Sequence, residues 1–302
     1  MTAALSQPIA IEKNRHRRVL PGFGLSLGYT IFFLSAIVLI PLAALVRKTA
    51  SLTWTEFWQT VTDPLVVSAY KLSFGAATFA AIINGLFGLL VAWVLVRYPF
   101  PGRRIVDAMI DFPFALPTAV AGLTFGTLYA PDGWLGRIGL DRFLVRPIGF
   151  LMNSLGIGGH DRTVGAVSLV LVFVGMPFVV RTVQPILQDM NRDLEQAAAS
   201  LGASAFYTFR RVILPELIPA WLAGIALALA RAIGEYGSVV FVARNQPGES
   251  QIAPQLIIDE IYGNSAHGTA KATAIAIVLL GASFVLLLII NGLQWWARRN
   301  EE

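Results

Sequence analysis

The stretch Gln196-Ala-Ala-Ala-Ser-Leu-Gly202, followed after nine residues by Val212-Ile-Leu-Pro215, sits between two apolar runs long enough to cross a bilayer. Around it, Leu194, Ala197, Ala198 and Leu201 recur at i, i+3, i+4 and i+7, the stripe of one helix face. Asp193 is placed to cap that helix and Gly202 to end it. A second turn carries Phe206, Phe209, Val212 and Ile213 on one side and Arg210-Arg211 on the other. Small alanines let another backbone come close, and glycine permits an abrupt change of direction. Taken alone, such a helix lies at the lipid headgroups as readily as it fills a groove on a partner. Its place between two spans, with Leu214-Pro215 leading straight into the next, predicts a docking element.

Composition sets the class. Hydrophobic residues make up 56% of the chain and charged residues 14%, against about 25% charge in a soluble domain. Charge-free runs at 23–46, 72–96, 112–130, 163–180 and 272–297 approach or exceed the ~20 residues that cross the hydrocarbon as a helix. A sixth, 217–243, is interrupted only by Arg231 and Glu235. Backbone groups in lipid must pair within their own segment, so continuous apolar runs are helices rather than barrel strands. The expectation is an all-α integral membrane protein with helices at about 23–46, 72–96, 105–130, 163–184, 217–243 and 272–297. They make one domain, 23–297, flanked by polar tails at 1–22 and 298–302, with the docking loop at 185–216. The first run is too long for a secretory signal core and reads as a retained helix. With no cysteine, no disulfide framework or thiolate site is expected.

Lysine and arginine near the helix ends set the orientation. The segments 1–22, 97–104, 185–216 and 297–302 hold twelve basic residues, and the longer segments 47–71, 131–162 and 244–271 hold nine. Both termini and the docking loop are therefore expected in the cytoplasm. The net charge of +5 is an orientation signal, not a nucleic-acid footprint.

Charge within the spans is rare and informative. Arg231 and Glu235 stand four apart on one face of the fifth run. Each charge at the bilayer centre costs about 2.5–3.5 kcal/mol on insertion scales, so the pair either bridges to fix packing or lines a gate. In the third run, Asp107 and Asp111 precede Pro113, Pro117, Thr118 and Gly122. Prolines free carbonyls and kink a spanning helix. Asp107 reads as a solvated helix start, whereas Asp111, Thr118, Arg231 and Glu235 are candidate path or gate residues. Neither HExxH nor the phosphate-cradling GxxxxGK[ST] occurs. His16, His160 and His267 fall in terminal or loop segments without metal-ligand spacing. An intramembrane hydrolase, working through Glu235 and Asp111, is the alternative from another class.

The 196–215 spacing resembles the "EAA" signature of ABC-importer permeases: Glu-Ala-Ala, three residues, Gly, nine residues, Ile, one residue, Leu-Pro. Ala197, Ala198, Gly202, Val212, Leu214 and Pro215 fall in place; Gln196 stands where the pattern has Glu, with Glu195 beside it. Further stretches are Arg17-Arg-Val-Leu-Pro-Gly-Phe, Asn84-Gly-Leu-Phe-Gly-Leu-Leu-Val-Ala-Trp and Arg97-Tyr-Pro-Phe-Pro-Gly-Arg. Pro113-Phe-Ala-Leu-Pro-Thr-Ala-Val-Ala-Gly-Leu-Thr, Pro177-Phe-Val-Val-Arg-Thr-Val-Gln-Pro and Ala230-Arg-Ala-Ile-Gly-Glu-Tyr-Gly-Ser-Val-Val-Phe complete the set. Together they resemble the CysT-type permeases of bacterial sulfate/thiosulfate ABC importers; the molybdate type, which shares the helix-three and helix-five patterns, is the alternative. The resemblance implies a six-helix type I importer permease, N-in and C-in, in the bacterial inner membrane. It implies ATPase-coupling roles for Glu195, Gln196, Ala197, Ala198, Gly202, Leu214 and Pro215. It also implies a second, similar permease subunit, two ATPase subunits carrying the ATP and Mg, a periplasmic sulfate/thiosulfate-binding protein and surrounding lipid. No cofactor on this chain and no nucleic acid is implied.

Overall fold

The computed structural model describes residues 23–130, 132–159, 161–263 and 267–299. The expected tail 1–22, the last three residues of the expected tail 298–302, and His160 lie outside them. Every element among the described residues is helical. The chain divides into two compact units, Met1–Arg47 and Lys48–Glu302.

The first unit holds the apolar rod Phe23–Thr49 except for its last residues, Lys48 and Thr49; the rod is formed by α1 (Phe23–Leu34), a π turn at Ser35–Leu39 and α2 (Ile40–Thr49). The widened turn has a local cause. Pro41 lacks an N–H and its ring crowds the carbonyl four residues back. The preceding Ile40 N–H reaches Ser35 O, one residue further than in an α-helix. The same device recurs before Pro215, where Leu214 N–H reaches Phe209 O.

The second unit opens with α3 (Trp54–Val61), started by a reciprocal capping box between Thr53 and Glu56. The Thr53 backbone N–H, bonded to the Glu56 carboxylate, holds that carboxyl below its ordinary pKa. Then comes α4 (Pro64–Arg97), capped by Asp63, whose carboxylate accepts from Leu65 N–H at 2.8 Å. The third expected helix, 105–130, is not one rod. It is α5 (Arg103–Ile110), α6 (Phe112–Ala115) and α7 (Thr118–Leu128). Leu116, ahead of Pro117, is extended with ψ 133°, as the proline ring demands of the residue before it. Short helices α8 (Trp134–Arg137), α9 (Leu140–Phe143) and α10 (Val145–Ser154) lead to α11 (Asp161–Asp189). The loop expected to dock, 185–216, holds α12 (Arg192–Ser200) and α13 (Ala205–Thr208). The fifth expected helix, 217–243, also breaks: α14 (Leu214–Ile233) ends at Gly234, and α15 (Val239–Val242) resumes after a turn. Finally come α16 (Ala253–Tyr262) and α17 (Gly268–Arg299).

Neighbouring residues give the directions. Along α4 and its neighbour, Leu72 meets Gly158, Gly75 meets Ile157, Asn84 meets Gly175 and Gly88 meets Val179. The two helices α4 and α11 therefore run the same way, and the chain between them must cross back. It does so through α5–α7: Asp107 meets Gln184, Phe114 meets Phe178, Phe125 meets Phe173 and Tyr129 meets Arg162. Only α7 in this return crossing is a sizeable apolar helix, and it is shorter than the five helices long and apolar enough to span. Prolines and close neighbours replace the continuous ladder there.

The core is a seam of small residues. On α4, Ala69, Ala76, Ala77, Ala80, Ala81 and Ala92 are buried, letting α11 and α14 approach as small residues do in membrane bundles. Trp221 on α14 donates its indole N–H to Gly85 O at 2.7 Å. A second seam joins α7 to the break after α14: a Cβ on Gly122 would collide with the Ser238 carbonyl. Gly122→Val is expected to destabilise the fold by about 1–3 kcal/mol, the range for overpacking. Gly281→Ala, where a Cβ meets open space, should leave stability within about 1 kcal/mol of wild type. Thermal unfolding of the detergent-solubilised protein compares them.

Candidate functional site

In the docking loop, Asn191 rather than the expected Asp193 caps α12, its side-chain oxygen accepting from Asp193 N–H at 2.9 Å. The helix ends in a Schellman-type closure: Ala203 N–H bonds Ala198 O at 3.0 Å and Gly202 N–H bonds Ala199 O at 2.9 Å. Gly202 takes φ +82°, which a side chain resists. Ser204 then starts α13, and the π turn carries the chain into Leu214 and Pro215.

The stripe Leu194, Ala197, Ala198 and Leu201 stays exposed or half-buried together, but the second set, which the spacing puts on one side, is divided. Ile213 is buried and Phe209 meets Trp93 of α4 edge-on, ring centroids 5.3 Å apart. Leu194, Leu201, Phe206 and Tyr207 stand exposed around the Gly202 corner. Gln196 and Ala197 are exposed and Ala198 half-buried. Glu195 faces inward, where it pairs with Arg97 at the end of α4. That guanidinium is nearly buried, over the Trp93 ring at 5.4 Å and beside Met190. Glu195 thus positions the loop, and Gln196 presents the outer surface.

Asp111 and Asp107 converge on Arg181 of α11. Arg181 Nε and Nη2 donate to the two Asp111 carboxylate oxygens at 2.8 and 2.7 Å. Its Nη1 donates to Asp107 Oδ1 at 2.8 Å and Gln184 Oε1 at 2.7 Å, and Nη2 also reaches the Asp107 carbonyl at 2.8 Å. Every guanidinium nitrogen is used, and bidentate geometry makes the clamp directional. Asp107 is therefore no free helix start. The clamp fastens the α5–α6 break to a continuous helix. Spacing could not reveal Arg181 as its centre, because the partners lie 70 and 74 residues away.

Thr118, Arg231 and Glu235 gather elsewhere, at the break after α14. Glu235 lies past the helix end and still pairs with Arg231. Its carboxylate also accepts from Ser238 N–H at 2.9 Å and Ser238 Oγ at 2.8 Å. The Glu235 side chain is 1% exposed and that of Arg231 35%. These donors offset the several kcal/mol that burying a carboxylate costs. Thr118 abuts Gly237, where any side chain would strike its hydroxyl. The four path candidates are thus two sites, Asp111 in the Arg181 clamp and the other three around the Glu235 turn.

For hydrolysis the arrangement offers little. Glu235 and Asp111 do not form a dyad, and among the described residues no His/Cys/Asp/Glu cluster could hold a metal. Gly24-Leu-Ser-Leu-Gly28 matches the GxSxG pattern of serine hydrolases but lies inside helix α1, not on the strand-to-helix turn that chemistry needs.

Because Glu235 serves the Ser238 amide as well as Arg231, exchanging the charges cannot restore the site. Arg231→Glu with Glu235→Arg should recover neither stability nor transport over the single variants. Glu235→Ala should cost about 1–3 kcal/mol for the partners left unbonded, and Glu235→Gln, which keeps an acceptor, should cost less. Thermal unfolding and uptake by the same membranes read both.

A family model of the binding-protein-dependent transport system inner membrane component matches residues 84–297. The sulfate transport system permease protein CysT of Salmonella typhimurium is 45% identical over 278 residues, covering 92% of this chain and 94% of that one. The Synechocystis CysT is 48% identical, covering 89% and 88%. Among solved structures, a bacterial ABC transporter importing the acidic polysaccharide alginate aligns over 91% of this chain and 94% of its own, with TM-score 0.67 at 15% identity. The inward-facing MetNI methionine transporter aligns over 82% and 99%, with TM-score 0.53 at 17% identity. The two structures share the fold. The chain belongs to the binding-protein-dependent transport system inner membrane components, among the CysT sulfate-transport permeases.

Proposed function

We propose that this chain is a membrane-spanning permease subunit of an ABC importer that carries sulfate, and thiosulfate with it, into the cytoplasm. The observation that carries the reading is the 44–48% identity to CysT sulfate permeases across about nine-tenths of the chain. A dianion does not enter hydrocarbon unaided, so the protein must open a polar path to one side at a time. An outside source shifts the two states by binding them unequally. In this reading two ATPase subunits hold the ATP and Mg, and the chain itself holds no nucleotide. A second, similar permease completes the path, and a periplasmic binding protein delivers the anion to the bacterial inner membrane.

The loop supplies the attachment. Gly202 holds the corner, Leu194, Leu201, Phe206 and Tyr207 offer exposed apolar surface, and Arg97–Glu195 fixes the loop to the bundle. Gln196, exposed beside Ala197, takes the place of the acidic residue usual in the signature.

Complementation tests the reading. Cells lacking the chain, supplied with it, should regain ATP-dependent uptake of labelled sulfate that excess molybdate does not suppress. Return of molybdate uptake without sulfate uptake would overturn the substrate. Gly202→Asp, which forces a side chain into φ +82°, should reduce uptake and substrate-stimulated ATPase activity to background while the chain still accumulates. Gln196→Glu should leave both unchanged.

A further inference from the structure

Two arginines without a role so far line a cavity on the face of the bundle opposite the docking loop. The cavity, about 170 Å3, lies where the end of α7, the start of α11 and the end of α15 meet. Tyr129, Arg162, Thr163 and Arg244 line it together with apolar neighbours. Arg162 is held in place: its guanidinium donates to the Tyr129 carbonyl at 3.2 Å and lies 3.0 Å from the Asp141 carboxylate. Asp141 is buried and also pairs with Arg146, so it does not cancel Arg162 alone. Arg244 is exposed and, among the described residues, forms no ion pair.

Position adds to composition. Along α7, Thr118 meets Gly237, Gly122 meets Ser238 and Gly126 meets Phe241, and Tyr129 then reaches the cavity. The cavity thus stands at the far end of the seam that begins at the Glu235 turn, a helical rise of roughly 16 Å away. At about 30 Å3 per water, it takes a handful of oxygen-sized groups, room for a small oxyanion with part of its hydration shell.

We propose that this cavity is an acceptor site for a tetrahedral oxyanion, the first station for sulfate on this chain, with Arg244 and Arg162 as its ligands. The proposal rests on the sulfate-permease reading. Arg162, shared with Asp141, gives a fixed but tempered charge, and Arg244 supplies the unshared one. Such a site binds weakly enough to release the anion inward.

The chain has no cysteine, so Ala130→Cys, on the cavity lining, introduces its single thiol. Right-side-out vesicles carry the assembled transporter without the binding protein, so docking of that protein cannot mask the thiol. The rate of modification by a small neutral maleimide is measured in sulfate and in chloride at equal ionic strength. Sulfate is expected to slow the reaction. Arg244→Gln should raise the half-protecting concentration about tenfold, the loss of one charge-assisted contact, and Arg244→Lys should raise it less. Equal rates in sulfate and chloride while sulfate uptake persists would overturn the site, as would undiminished protection in Arg244→Gln. Protection by molybdate alone, with sulfate complementation failing, would keep an oxyanion site and overturn the substrate reading. Should Ala130→Cys abolish uptake, Ala166→Cys, on the same lining, carries the measurement.

Discussion

A backbone amide inside a bilayer has no water to bond, so an interrupted helix persists there only where protein supplies the missing partners. This constraint organises the chain. Among the described residues, the interruptions within crossings at Asp111–Pro117 and Gly234–Ser238 are each braced by a charged side chain. Arg181 grips the first from α11, taking a backbone carbonyl as well as two carboxylates. Glu235 closes the second by accepting the Ser238 amide. The charges that a hydropathy scale counts as expensive are thus the groups that make irregular backbone tolerable at depth. The continuous helices α4, α11 and α14, packed through alanine and glycine, form the frame that the broken crossing lies against.

Much of this was legible in the chain. Uninterrupted apolar runs are bound to be helices, and Pro113 and Pro117 announced a disturbed third crossing. The helix now seen at Arg192–Ser200 and its Gly202 corner followed from spacing alone. What was hidden depends on partners far apart in sequence. Nothing local to Asp107 distinguishes a solvated helix start from one arm of a clamp whose centre lies 74 residues on. The break after α14 was masked by apolar residues on both sides, which extend a hydropathy run whether or not the backbone stays helical. Phe206 and Phe209, three apart, would share a face on a regular helix. Instead Phe206 stands exposed while Phe209, at the start of the π turn, packs edge-on against Trp93 of the long helix α4, a partner no local spacing could name.

The arginines divide by what surrounds them. Arg181 is saturated by its neighbours and Arg97 is nearly buried among Glu195, Trp93 and Met190, and both hold elements together. Arg231 shares a buried carboxylate. Arg244 alone among these keeps its charge unspent within the described residues, at the end of the bundle where an anion would arrive. Sequence gives all four the same letter, and packing gives them different work.

The pairing of Arg97 with Glu195 has a mechanical consequence. The loop is joined by continuous backbone to α11 at one end and, through the π turn, to α14 at the other, whereas α4 is held to it by side chains alone: the Arg97–Glu195 ion pair, Arg97 beside Met190, and a ring contact. Between these joints lies the Gly202 corner, whose surroundings are open. The element is a strap welded at both ends, to α11 and to α14, and clasped to α4 on either side of the Gly202 corner. A load on α12 therefore reaches α11 and α14 through backbone and α4 through side chains alone, so α4 receives it less directly than the two helices it packs against. Whatever difference arises is taken up along the small-residue seam, where the Trp221 indole bonded to Gly85 is the pin that holds α4 and α14 in register.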